Sequence, residues 1–124
     1  MKITILTLFP DMFVGPFDHS IIKRAQEKKL VEMRYIQIRD YGLGKHKVVD
    51  DKPYGGGVGM LLKVDVLDKA IAAAKDASLS PDEEKVILLS ATGNTFTQQK
   101  AQAFSEMKHI IFVCGHYEGF DERI

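Results

Sequence analysis

Short runs of β-branched and apolar residues alternate along this chain with segments whose apolar residues recur at helical spacing. That alternation limits the possible folds more than any other feature. Lys2 to Leu8, Glu32 to Ile38, Lys85 to Ser90 and His109 to Cys114 read as strands. Ile21, Ile22 and Ala25, then Val66, Leu67, Ala70, Ile71 and Ala74, mark two helices; Thr97 to Glu106 marks a third. Ser20 is the expected N-cap of the first helix, which ends at Lys28 and Lys29, and Thr95 or Thr97 the expected cap of the last. The order β-α-β-loop-α-β-α-β predicts an α/β domain with a mostly parallel sheet flanked by helices and joined by right-handed crossovers. In such sheets ligands bind beyond the carboxyl ends of the strands. Three places follow: Pro10 and Asp11, Ser90 to Thr95, and Gly115 to Gly119.

Composition narrows the class. The 124 residues suit one domain, and 45% hydrophobic with 27% charged residues excludes wholesale disorder. Seventeen Lys and Arg balance seventeen Asp and Glu, so a nucleic-acid partner has to be argued from local charge. One cysteine excludes a disulfide framework and a Cys-based zinc site, and no metal site is expected. Met1 to Phe9 is too short for a signal sequence and alternates like a strand, and no apolar run reaches the ~20 residues of a membrane span. A cytoplasmic chain with no membrane contact is the expectation.

Four constellations could carry chemistry. Arg39 to Leu61 has no sustained apolar period and holds six glycines, so it reads as a long loop. Within it, Gly55, Gly56, Gly57 and Gly59 would let backbone amides approach a ligand, although neither the P-loop nor the dinucleotide fingerprint fits. Arg39, Lys45, His46, Lys47 and Lys52 form a basic stretch offset by Asp40, Asp50 and Asp51; a solvated loop or phosphate contacts are both open. Leu88 to Asn94 is a strand opening into a small-residue turn. Val113 to Asp121 places Cys114, His116, Tyr117 and Glu118 around a glycine-bracketed turn. Cys114 reads either as a nucleophile beside His116 or as a small buried apolar residue.

These segments together resemble a known family. Leu8-Phe9-Pro10-Asp11-Met12-Phe13, Val49 to Met60 and Val113 to Arg123 are similar to blocks of the bacterial tRNA (guanine-N1)-methyltransferases, in the same order and spacing over the whole chain. The resemblance implies a knotted, SPOUT-type α/β methyltransferase domain acting as a homodimer. It implies S-adenosyl-L-methionine as methyl donor and tRNA as substrate, methylated at N1 of the guanosine 3′ of the anticodon. By similarity, Leu88, Leu89 and Ala91 line the adenine slot, and Gly115, Tyr117 and Glu118 contact the donor. Arg39, Lys45, His46 and Lys52 meet tRNA, and Asp50 orders the loop that carries them.

Two departures qualify these expectations. Ser90-Ala91-Thr92-Gly93 replaces the family's usual Ser-Pro-Gln/Arg-Gly, and loss of that proline is expected to loosen the adenine wall. The family also continues past Ile124 into the segment that closes the knot, carries the general base and leads to a helical tRNA-binding domain. Residues 1–124 therefore read as an incomplete methyltransferase domain, inactive alone. The alternatives are a non-catalytic fragment that binds RNA or nucleotide, and a Cys/His hydrolase.

Overall fold

The computed structural model describes residues 1–45, 47, 49–51 and 61–115. Four strands form one sheet: β1 (Lys2–Thr7), β2 (Glu32–Gln37), β5 (Glu84–Leu89) and β6 (His109–Cys114). Their spatial order is β2-β1-β6-β5, and every pairing is parallel. The helices α1 (Asp11–Val14), α2 (Ser20–Glu27), α3 (Val64–Ala74) and α4 (Gln98–Ser105) lie in the connections. The α/β expectation and all four predicted strands hold.

Alternation in the strands sets two faces. Leu6, Ile36, Ile111 and Val113 share one face and pack with Val66, Leu67, Ala70 and Ala74 of α3, with Ile38 and Val49 in the same core. Complete burial of a Leu or Ile side chain contributes roughly 1.5–3 kcal/mol, so this layer dominates stability. The opposite face presents Ile3, Ile5, Met33 and Phe112 toward Phe13, Phe17, Ile22 and Ala25. A mostly apolar cavity of about 840 Å³ remains between them.

Helix α2 departs from expectation at its start. Ser20 is the first helical residue rather than the cap; its φ is 56°, and the His19 cap position makes no side-chain bond. The entry is held from inside, since Gln26 Nε2 donates to the Phe17 carbonyl at 2.8 Å. A side chain two turns along the chain takes the role that the local pattern gave to Ser20. The other end closes as a Schellman motif, with Leu30 N–H donating to Ala25 O at 2.9 Å and Lys29 N–H to Gln26 O at 3.0 Å. Lys29 takes the left-handed position, at φ 60°.

The segment read as an unbroken loop from Arg39 to Leu61 also holds structure. A 3₁₀ turn spans Ile38–Tyr41, and β3 (Asp50–Asp51) pairs antiparallel with β4 (Leu61–Leu62). Two-residue strands have no periodicity to detect. The cap of α4 follows expectation, Thr97 Oγ1 accepting Lys100 N–H at 3.2 Å.

Candidate functional site

The register places the ends of β5 and β6 level, with Leu88 opposite Val113 and Leu89 opposite Cys114. The Ser90 turn and Gly115 therefore leave neighbouring strands at one edge. This is the carboxyl edge at which α/β sheets hold ligands. A cavity of about 1110 Å³ follows β5 into the turn, lined by Leu88, Leu89, Ala91, Gly93, Asn94 and Phe96 among others. Because adjacent strand residues point to opposite faces, Leu88 packs against the α3 core while Leu89 is 49% exposed. Both reach the same cavity only because β5 is an edge strand of the described sheet.

The turn is closed without proline. Gly93 N–H donates to Ser90 O at 3.2 Å, and Thr92 N–H to Ser90 Oγ at 3.2 Å. The Ser90 and Thr92 hydroxyls lie 3.0 Å apart. Ser90 closes the turn locally, through its carbonyl and hydroxyl oxygens. A Cβ on Gly93 would stand 3.3 Å from the Ser90 carbonyl oxygen, which keeps this turn small. Beside it, Phe96 and Phe104 stack with centroids 6.0 Å apart, and the Lys85 ammonium lies 5.5 Å from the Phe104 centroid.

The basic loop is built on a close backbone contact. A Cβ at Gly42 would fall 2.4 Å from the Lys47 carbonyl carbon, so only glycine lets the chain return on itself here. Lys47 N–H donates to Gly44 O at 3.3 Å, and Arg39 Nη1 reaches Lys47 O at 3.5 Å. Arg39 and Lys45 are both exposed on this closed turn. Asp50 stands in β3 opposite Leu62. His46, Lys52, Tyr117 and Glu118 lie outside the described residues, as do His116 and the glycines 55–57 and 59.

Cys114 is half-buried, and burial pushes its thiol above the ordinary cysteine range. The thiolate that a nucleophile needs is thereby disfavoured at neutral pH. The half-burial of Cys114 suits the apolar reading; His116, the base of the nucleophile reading, lies outside the described residues.

The sequence reading missed a polar array at the opposite end of the sheet. Thr4 Oγ1 and His109 Nε2 are 2.7 Å apart, and His109 Nδ1 lies 2.7 Å from Glu84 Oε2. The same Glu84 oxygen accepts the Asp76 amide at 2.7 Å, so Nδ1 donates to it, while Nε2 shares a hydrogen bond with the Thr4 hydroxyl. These are the spacings of a nucleophile–base–carboxylate relay. Yet Thr4 and His109 are both fully buried, so no substrate reaches them. The array joins β1, β6, β5 and the α3–β5 connection. No local signal marks it, because the three residues are far apart in sequence and meet only through strand register.

Among the described residues, no group of His, Cys, Asp or Glu side chains could hold a metal ion, and no helix is long and apolar enough to cross a membrane.

Comparison with known proteins gives one consistent result. A sequence model described as tRNA (guanine-1)-methyltransferase TrmD matches residues 1–124. Proteins named tRNA (guanine-N(1)-)-methyltransferase from Bacillus cereus (strain AH820) and Bacillus anthracis (strain A0248) are 53% identical over 125 residues. The same identity is found for the protein of that name from Bacillus thuringiensis subsp. konkukian. Each alignment covers 100% of this chain and 50% of the relative, so the chain spans about half the length of the curated relatives it matches.

Proposed function

The chain belongs to the tRNA (guanine-1)-methyltransferase family, and from that premise we propose that it supplies part of an enzyme transferring a methyl group from S-adenosyl-L-methionine to N1 of the guanosine 3′ of the anticodon. The observation that carries this reading is the level pairing of Leu89 with Cys114, which delivers the Ser90 turn and Gly115 to one sheet edge beside an open cavity. The cavity suits the donor chemically. Leu88, Leu89 and Ala91 offer apolar surface to a nucleoside, and the small turn leaves space for close approach. Gly115, Tyr117 and Glu118 are assigned to the donor from the following loop, by similarity.

Bound there, the donor supplies a methyl group on a sulfonium centre. The chain's own residues bind and orient it: the hydrogen-bonded Ser90 turn forms one wall, and alignment of donor and acceptor accounts for a large share of the rate. Guanine N1 carries a proton at neutral pH, so a carboxylate must accept it and polar groups must stabilise charge spreading to O6. We assign that base to the portion of the family beyond Ile124, and Glu118 to positioning. Arg39, Lys45, His46 and Lys52 are assigned to tRNA, with Asp50 ordering their loop. A SPOUT-type knot, a cytoplasmic location and a homodimer belong to the same proposal. The apolar surface around Met12 and Val14 supports the homodimer.

The test is transfer of a labelled methyl group from S-adenosyl-L-methionine to tRNA by the full-length polypeptide. Label is expected only when guanosine occupies the position 3′ of the anticodon, and Glu118→Gln should lower turnover. Equal labelling of a transcript carrying adenosine there would overturn the assignment.

A further inference from the structure

The zero net charge of this chain conceals a segregation of charge. Ser20 to Lys29 contains four cations, Lys23, Arg24, Lys28 and Lys29, against the single acid Glu27. Asp76 to Glu84 contains four acids, Asp76, Asp82, Glu83 and Glu84, and no cation. Topology separates the two stretches: the basic one leads into β2 and the acidic one into β5, the two outer strands of the sheet. Three strand spacings, roughly 14 Å, lie between them.

The two stretches also differ in how their charge is used. Glu83 pairs with Lys108 at 3.2 Å, and Glu84 bonds His109 and the Asp76 amide. Among the described residues, none of the four cations forms a salt bridge. All four are exposed, whereas Ile22, Ala25 and Gln26 turn toward the protein. Lys28 caps the C-terminus of α2 and Lys29 follows it in the left-handed position, at the end where the helix dipole favours positive charge. A surface on which α2 and its C-terminal turn concentrate unpaired positive charge is complementary to an extended anion.

We infer that the exposed surface of α2 and its C-terminal turn, through Lys23, Arg24, Lys28 and Lys29, is a second tRNA-contacting surface that binds the phosphate backbone. This rests on the tRNA reading above, but it adds a contact surface separate from the Arg39–Lys52 loop. The contact is to phosphate rather than to bases, so it strengthens and orients binding without choosing the sequence.

The experiment replaces all four cations by Gln in the full-length polypeptide, a change that preserves helix propensity. A matched variant carries Lys23→Arg, Arg24→Lys, Lys28→Arg and Lys29→Arg. Dissociation constants for tRNA are then measured across a salt series, alongside methyl transfer at saturating tRNA. The Gln variant should bind tRNA about tenfold or more weakly, and the slope of log K against log salt should fall by about 2–3. The charge-preserving variant should bind like the parent, and methyl transfer at saturation should be unchanged. An unaltered salt slope in the Gln variant overturns the inference, even if affinity drops. So does loss of binding to phosphatidylserine vesicles with tRNA binding intact, which would make the face a membrane contact. A parent that methylates tRNA beside a Gln variant that binds normally removes this inference alone. A parent that neither binds nor methylates tRNA removes the functional reading with it.

Discussion

At the residue scale, single backbone positions decide what the side chains around them can do. Gly42 is fixed by contact with the Lys47 backbone and so shapes the loop that presents Arg39 and Lys45. Lys29 is the reverse case, a lysine held at φ 60° where glycine is the unstrained residue. Lys29→Gly should therefore stabilise the protein by about 0.5–1 kcal/mol, read as a higher urea midpoint with unchanged slope. A lower midpoint would show that the lysine side chain contributes more than its backbone strain costs. Neither position is legible from the sequence as strained or as contacted. Helix ends are predictable within a few residues, but the sign of φ at a lysine is not.

At the element scale, the sheet is pinned at its amino end by the Thr4–His109–Glu84 array and opens into the candidate site at its carboxyl end. Glu84 Oε2 satisfies the buried His109 Nδ1–H and the half-buried Asp76 amide. Glu84→Leu leaves both unpaired and should cost about 3 kcal/mol, whereas Glu84→Gln keeps an acceptor oxygen and should cost about 1 kcal/mol. Denaturant unfolding of the pair separates these outcomes, and equal losses would mean that the array contributes packing rather than hydrogen bonding. The same array explains a boundary. The pattern of apolar residues starts β5 at Lys85, yet the strand begins at Glu84 because a partner from β6 holds that residue in place. Elsewhere the period of two served well, since β6 runs from His109 to Cys114 as expected.

At the scale of the whole molecule, the two sheet faces are unequal. One is sealed by α3; the other carries the apolar cavity beside α1 and α2, with Met12 70% and Ile21 75% exposed. The proposed homodimer gives that surface a use. Met12→Lys with Val14→Lys should shift the full-length polypeptide from dimer to monomer in sedimentation, with circular dichroism preserved; a persistent dimer would place the interface elsewhere. What the sequence determined by itself was the alternation of strand and helix, the four strands, the parallel α/β class and the family. Each of these is written in local periodicity or in contiguous motifs. Tertiary structure alone decided the rest. It brought the Ser90 turn and Gly115 to one sheet edge, and it brought Thr4, Glu84 and His109 together. It also set a basic helix and an acidic connection at opposite edges of a chain whose charges sum to zero. Such relations depend on strand order and register, which come from contacts between residues distant in the chain and leave no local pattern to read.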